Sequence, residues 1–287
     1  MHNLTTFTFY RDDLALVYDD DPAHEGVPVL LLHGLTTNRW SWRGLLRNGL
    51  GEGRRVLIPD LRGRGGSAKP PRGYTMDDHV QDLLALLDDL LIRRADVVGH
   101  SFGGLLGAYL AAHHPQRVRR LVIVDAGLEA TDPAVLPKIR PSLERLGQVA
   151  PSWEAYLKAI KSAHYYADGF WDDDLEALYR ADITVLDDGR VRSVTAPHAI
   201  EQAMEGVISL DWPSTFARVN CPTLLVNAPA PFPNGLPPVL SEASARETVS
   251  LMPRGQYAAV EGNHITLAYG PYAATTAETI EAFLLAS

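Results

Sequence analysis

Ala95-Asp96-Val97-Val98-Gly99-His100-Ser101-Phe102-Gly103-Gly104 carries a short apolar run directly into a serine flanked by glycines. Ala95 to Gly99 reads as a strand buried on both faces, and Phe102 to His113 reads as a helix. A Gly-x-Ser-x-Gly sequence standing alone is compatible with an ordinary turn. Between a strand and a helix it acquires a mechanical meaning, because the turn forces the serine into a strained backbone conformation and the glycines make room for it. The Ser101 hydroxyl then projects over the strand end. The free N–H groups at the start of the following helix face developing negative charge.

Working outward, the same alternation recurs. Val27 to Leu32, Arg55 to Pro59, Val118 to Val124, Pro222 to Val226 and Tyr257 to Val260 read as strands. Trp42 to Leu50, Thr75 to Leu91 and Ala273 to Leu285 carry helical spacing, with Thr75, Asp77 and Asp78 as a helix start. Strands alternating with helices predict an α/β fold with a parallel sheet covered on both sides, and ligands in such folds gather at the carboxyl ends of the strands. Between Gly127 and Trp212 the pattern turns to helical stretches and aromatic residues without a buried strand. This predicts a helical cap inserted at residues 128–212 into a core formed by 1–127 and 213–287. The aromatics Trp153, Tyr156, Tyr165, Tyr166, Phe170 and Trp171 either fill a core, as burial preference favours, or line an apolar pocket. The acidic run Asp19 to Asp21 reads as a solvated turn.

A length of 287 residues with 46% hydrophobic and 21% charged residues describes a folded globular chain rather than a disordered or fibrous one. The net charge of −9 argues against nucleic acid or an anionic membrane as partner, because phosphate neutralisation needs a positive face. A neutral small molecule fits better. The single cysteine, Cys221, forms no internal disulfide and reads as a small buried side chain; no Cys and His spacing suggests a metal site. Met1 to Tyr10 lacks the signature of a signal peptide and no apolar run approaches the ~20 residues of a membrane span, so the expected location is the cytoplasm.

A serine at neutral pH needs a base to take its proton. Of the ten histidines, His264 is the candidate. It lies in Glu261-Gly262-Asn263-His264, after the last expected strand and before the last helix, on the same sheet edge as Ser101. His113 and His114 end a helix, His79 lies within one, and the His100 side chain is expected to point elsewhere. The charge that develops on a carbonyl oxygen needs two donors. The N–H of Phe102 supplies one, and the N–H of Leu35, on the His33-Gly34-Leu35 turn after an earlier strand, supplies the other.

These residues together resemble the α/β-hydrolase family, in its capped, esterase-like and dehalogenase-like branch. The resemblance is carried by His33-Gly34, by Asp60-Leu61-Arg62-Gly63-Arg64-Gly65-Gly66-Ser67, by Gly99 to Gly104 and by Gly262-Asn263-His264. It implies a mostly parallel eight-stranded sheet flanked by helices, a triad of serine, acid and histidine, and no cofactor. Family members commonly carry the acid on the loop after the strand Pro222 to Val226, but here residues 227–235 hold no Asp or Glu. Other members place it at the end of the preceding core strand, which selects Asp125, with Glu242 and then Glu129 behind it. The Asp60 to Ser67 segment reads as architectural, its Arg and Asp tying loops beneath the site.

The expected reaction is hydrolysis of a carboxylic ester by Ser101, His264 and Asp125. A serine in the nucleophile position argues against dehalogenase and epoxide-hydrolase chemistry, which in relatives use aspartate. Lactones, amides, carbon–carbon bonds and perhydrolysis stay open on the same machinery, as does a slow-turnover ligand-binding receptor with this fold. A pure scaffold is disfavoured by the intact turn and base.

Overall fold

Apolar runs that leave no side to solvent form the middle of the sheet. The computed structural model describes residues 2–12, 14–166 and 169–286; Met1, Asp13, Ala167, Asp168 and Ser287 lie outside the described residues. In chain order the strands are β1 (Thr5–Arg11), β2 (Leu14–Asp20), β3 (Val29–Leu32), β4 (Val56–Pro59), β5 (Ala95–His100), β6 (Val118–Val124), β7 (Val149–Ala150), β8 (Ile183–Val185), β9 (Val191–Ser193), β10 (Thr223–Asn227) and β11 (Gly255–Ala259). Eight of them make one sheet in the order β1-β2-β4-β3-β5-β6-β10-β11. All neighbours are parallel except at β2, which runs antiparallel to both β1 and β4. The helices are α1 (Arg43–Arg47), α2 (Met76–Asp89), α3 (Phe102–His113), α4 (Leu136–Glu144), α5 (Trp153–Lys161), α6 (Asp173–Ala181), α7 (Pro197–Ile208), α8 (Trp212–Ala217), α9 (Glu242–Leu251) and α10 (Gly270–Leu285).

The two-residue period of the central strands divides the interior into two cores. Leu30, Leu32 and Val97 face one side and pack with α2, α3 and α8, while Val29, Leu31 and Val98 face the other and meet Leu45 of α1 and Ala273, Ala277 and Ile280 of α10. Each such leucine, wholly removed from water, contributes roughly 1.5–3 kcal/mol. α2 starts as its sequence implies: the Thr75 hydroxyl accepts from Asp78 N–H and the Asp78 carboxylate accepts from Thr75 N–H.

Several elements differ from the sequence reading. The N-terminal hairpin β1–β2 was not anticipated, because β1 is largely exposed and only Phe7 and Phe9 interrupt its polar sequence, Phe9 packing on the core and Phe7 stacking on Tyr18. Asp19 to Asp21 is no solvated turn. Asp19 and Asp20 end β2, Asp20 and Asp21 are buried, and Asp20 is held by the Arg55 guanidinium at 2.7 and 3.0 Å, a cation 35 residues away in sequence. The helix expected over Trp42 to Leu50 is a 3₁₀ turn (Arg39–Trp42) followed by the short α1, stopped where Gly49 and Gly51 take positive φ. The insertion is not purely helical, since β7, β9 and β8 form a small antiparallel sheet within it. Its aromatics form a third core in which Tyr156, Tyr165, Tyr166 and Tyr179 pack with Leu175 and Leu178.

Candidate active site

The strand ends place the expected site residues within hydrogen-bond reach of one another. Ser101 follows β5 and precedes α3 with φ 54° and ψ −121°, a conformation that L-residues seldom adopt. The turn closes so tightly that a Cβ on Gly99 would lie 2.1 Å from the Gly103 carbonyl oxygen, and one on Gly103 the same distance from the Leu32 carbonyl oxygen. Glycine is required at both positions for want of space.

His264 Nε2 lies 3.1 Å from Ser101 Oγ, and its Nδ1 lies 2.8 Å from Asp125 Oδ2. An ionised carboxylate only accepts hydrogen bonds, so Nδ1 carries the ring proton and Nε2 keeps a lone pair for the serine proton. Asp125 is fully buried at the end of β6 with φ 52°, itself a left-handed conformation. Its second oxygen, Oδ1, accepts from Asn227 Nδ2 and from Ala228 N–H, both at 2.9 Å. The loop that holds no acid thus supplies donors to the acid on the neighbouring strand. Tyr257 extends the chain, its hydroxyl donating to Asn227 Oδ1 at 3.1 Å. Neither of the other two carboxylates is hydrogen-bonded to His264: Glu242 pairs with Arg246 on its own helix, and Glu129 binds Lys138 and Ser241 N–H.

Asn227 was missed in the sequence because its task depends on lying beside Asp125. The available signal was a polar residue closing an otherwise apolar strand. His100 also differs from its expected orientation: its ring lies 4.8 Å from that of His264, lines the cavity, and donates from Nε2 to the His264 carbonyl oxygen at 2.8 Å. Burial pushes its pKa down to about 3, so at neutral pH it anchors the His264 loop as a neutral ring.

Leu35 and Phe102 line the same cavity as Ser101. Phe102 is the first residue of α3, so its N–H has no acceptor within the helix. The Leu35 N–H shares a peptide with the Gly34 carbonyl, and that oxygen accepts from His33 Nδ1 at 2.8 Å. His33 Nε2 in turn accepts from Leu61 N–H at 2.9 Å, which fixes the tautomer. Because C=O and N–H point in opposite directions across a trans peptide, this bond fixes the direction of the Leu35 N–H. His33 is fully buried, and burial pushes its pKa down to about 3.

The cavity above Ser101 is walled from both segments, by Leu45, Leu105 and Leu267 of 1–127 and 213–287 and by Leu136, Ile139, Tyr165 and Val207 of 128–212. Of the aromatics between Trp153 and Trp171 only Tyr165 is among its lining residues; the pocket is mixed, with aliphatic side chains beside the rings of Trp42, Phe102, Tyr165, Tyr179 and Tyr269. The insertion is tied down beside the site by Arg145, whose Nη2 donates to the Thr36 carbonyl oxygen at 2.5 Å and whose guanidinium is neutralised by Asp182. Asp60, with its Oδ1 accepting from Arg39 N–H and its Oδ2 from Gly66 N–H, ties loops beneath the site. Among the described residues no group of His, Cys, Asp and Glu is arranged to hold a metal, and no helix is long and apolar enough to cross a membrane.

Comparison with known proteins agrees with this architecture. The family model for the alpha/beta hydrolase fold matches residues 27–227. Over 102 residues the chain is 40% identical to the 2-hydroxymuconate semialdehyde hydrolase of Pseudomonas sp. (strain CF600), a match spanning 34% of this chain and 36% of that protein. It thus spans about a third of the length of this curated relative. Among solved structures, E-2-(acetamidomethylene)succinate hydrolase superposes with a TM-score of 0.83 at 23% identity, over 99% of this chain and 100% of that one. The enol-lactonase from Burkholderia xenovorans LB400 gives 0.74 at 21%, over 98% and 100%. At these identities the structural likeness concerns the fold.

Proposed function

The chain belongs to the α/β-hydrolase family, and on that premise we propose that it hydrolyses carboxylic esters of small, largely apolar substrates through an acyl-enzyme on Ser101. The observation that carries the proposal is the pair of bonds made by one imidazole, 3.1 Å to Ser101 Oγ and 2.8 Å to Asp125 Oδ2. In the reaction His264 Nε2 takes the Ser101 proton as Oγ attacks the ester carbonyl carbon. Asp125 holds the Nδ1 proton and balances the imidazolium, itself kept in place by Asn227 and the Ala228 amide. The Leu35 and Phe102 N–H groups receive the oxyanion. As it collapses, the C–O bond to the alcohol breaks and His264 protonates the leaving alkoxide. Water then gives a proton to His264 as its oxygen bonds to the acyl carbon; the C–O bond to Ser101 breaks, His264 returns the proton to Oγ, and the acid leaves.

The largely apolar walls, aliphatic and aromatic together, favour an uncharged acyl or alcohol group. In this reading residues 128–212 act as a cap that covers the bound substrate and limits bulk solvent at the site while admitting the water that hydrolyses the acyl-enzyme. A panel of p-nitrophenyl esters of increasing chain length, with matched lactones, amides and a vinylogous 1,5-diketone for carbon–carbon cleavage, tests it. Ester turnover with an initial burst of nitrophenol, lost in Ser101→Ala, is the expected result. Turnover confined to the lactone, amide or diketone would move the assignment to that bond. Tight binding without turnover would make the chain a receptor on this fold.

A further inference from the structure

The segment Asp60 to Ser67 contains one residue that loop architecture does not account for. Arg64 is wholly buried, and no carboxylate among the described residues pairs with it. Other buried guanidiniums do have partners: Arg62 meets Asp82 and Arg145 meets Asp182. Arg64 Nε donates to the Leu35 carbonyl oxygen at 2.9 Å and Nη1 to the Arg62 carbonyl oxygen at 2.7 Å. Nη1 also lies 3.4 Å from His79 Nε2, while Nη2 has no hydrogen-bond partner. The guanidinium carbon stands 5.2 Å from the centre of the Phe102 ring. Arg64 therefore touches both residues assigned as oxyanion donors, Leu35 through its carbonyl and Phe102 through its ring.

Burial holds His79 and His33 in their neutral forms, so neither adds positive charge beside Arg64, and a neutral ring brings no countercharge; the Phe102 ring offers a π face but no anion. Burial pulls the Arg64 pKa down to about 9, which is still above neutral, so at pH 7 a full positive charge sits buried behind the oxyanion loop. An uncompensated buried charge is costly to a fold. It gains a partner only when negative charge arrives, and the tetrahedral intermediate brings that charge while the neutral ester does not.

We infer that Arg64 is a positioning residue for the reaction: it holds the oxyanion loop through the Leu35 carbonyl, and its unneutralised charge favours the anionic intermediate over the bound ester. The inference rests on the assignment of Ser101 as nucleophile. Its effect belongs in kcat and in affinity for anionic adducts, and leaves ground-state binding alone.

Arg64→Lys, Arg64→Gln and Arg64→Met in the full chain separate charge from hydrogen bonding and from packing. Lys and Gln can both donate to the Leu35 carbonyl oxygen, but only Lys carries the charge. With a short-chain p-nitrophenyl ester, Gln and Met should lose about 10- to 100-fold in kcat, less than the loss of a direct oxyanion donor, with KM within about threefold. Lys should stay within about tenfold of wild type. A trifluoromethyl ketone, which adds Ser101 to give an anionic hemiketal, should weaken by the same factor as kcat/KM falls, whereas its methyl ketone counterpart should bind unchanged. Thermal midpoints of the neutral variants should equal or exceed that of wild type. Equal kcat for Lys and Gln would overturn the inference. So would failure of both neutral variants to fold, because the charge would then serve the fold. A wild-type protein that neither turns over esters nor labels with a fluorophosphonate at Ser101 would contradict the nucleophile assignment instead, and the role of Arg64 with it.

Discussion

Replacing Asp125 with asparagine changes one atom, and the surroundings dictate how the new amide must sit. Oδ1 of Asp125 receives two N–H donors, from Asn227 Nδ2 and Ala228, each at 2.9 Å. An amide at this position has one acceptor and one donor end, and only the oxygen can face those two donors. Its NH2 group is then turned toward His264 Nδ1, 2.8 Å from the atom it replaces. A donor at that place needs the lone pair of Nδ1, so the ring proton moves to Nε2. His264 then presents an N–H to Ser101 and can no longer take its proton. Asp125→Asn should therefore fold normally, bind substrate with little change in KM, and lose about 10⁴ in kcat, or about 5.4 kcal/mol of barrier. Stopped-flow release of nitrophenol from a short-chain ester, beside the rate of fluorophosphonate labelling, measures the acylation step. Both should fall together. A variant within tenfold of wild type, with a circular dichroism spectrum unchanged, would refute the tautomer argument and remove Asp125 from the mechanism.

Gly103→Ala sets a methyl 2.1 Å from the Leu32 carbonyl oxygen, where both sides of the contact are backbone; the thermal midpoint should drop sharply, by several degrees or more, and the nucleophile turn should lose labelling. His33 and His100 are buried and neutral with pKa near 3, below the usual 6.5, so unfolding takes up protons that folding excludes. Their contribution is complete above pH 6.5 and declines as pH falls toward 3, each adding a slope of about 1.4 kcal/mol per pH unit; urea midpoints between pH 7 and 4 should show it, and His33→Asn should remove one share. Arg145→Met leaves Asp182 buried without its cation and should cost about 3–5 kcal/mol in urea unfolding. Adding Asp182→Leu to it should recover most of that loss.

What the sequence makes legible follows from the range of the forces involved. Strands buried on both faces declare themselves as apolar runs, so β3, β4, β5, β6 and β10 can be read within a residue or two, and α3 is read to its ends. β1 is hidden because it is an edge strand, mostly exposed, held by pairing with β2 and by only two apolar side chains, Phe7 and Phe9. The strands β7, β8 and β9 are two or three residues long, too short to show a period; β8 and β9 form a local hairpin through Gly189, while β7 joins only by pairing with β9 across some 40 residues of chain. Ser101, His264, Leu35 and Phe102 are marked by position in turns and element ends. Asp125 is singled out only by family resemblance, as the usual loop is empty. Asn227 and Tyr257 act on groups distant in sequence, and His33 and Arg64 join a near carbonyl to a far partner, Leu61 N–H and the Leu35 carbonyl respectively, which nothing in their own neighbourhoods points to. The acidic stretch at Asp19 to Asp21 misleads for the same reason, since the cation that neutralises Asp20 is Arg55, in another strand's approach.

The central claim is that Ser101 becomes covalently acylated. Intact-mass measurement after brief mixing with an activated ester, quenched in acid and followed by peptide mapping, tests it most directly. A single acyl adduct on the peptide bearing Ser101, growing and decaying at the rate of turnover and missing from Ser101→Ala, is the predicted result. Turnover with no adduct at any time, or an adduct on another residue that survives Ser101→Ala, would contradict the account.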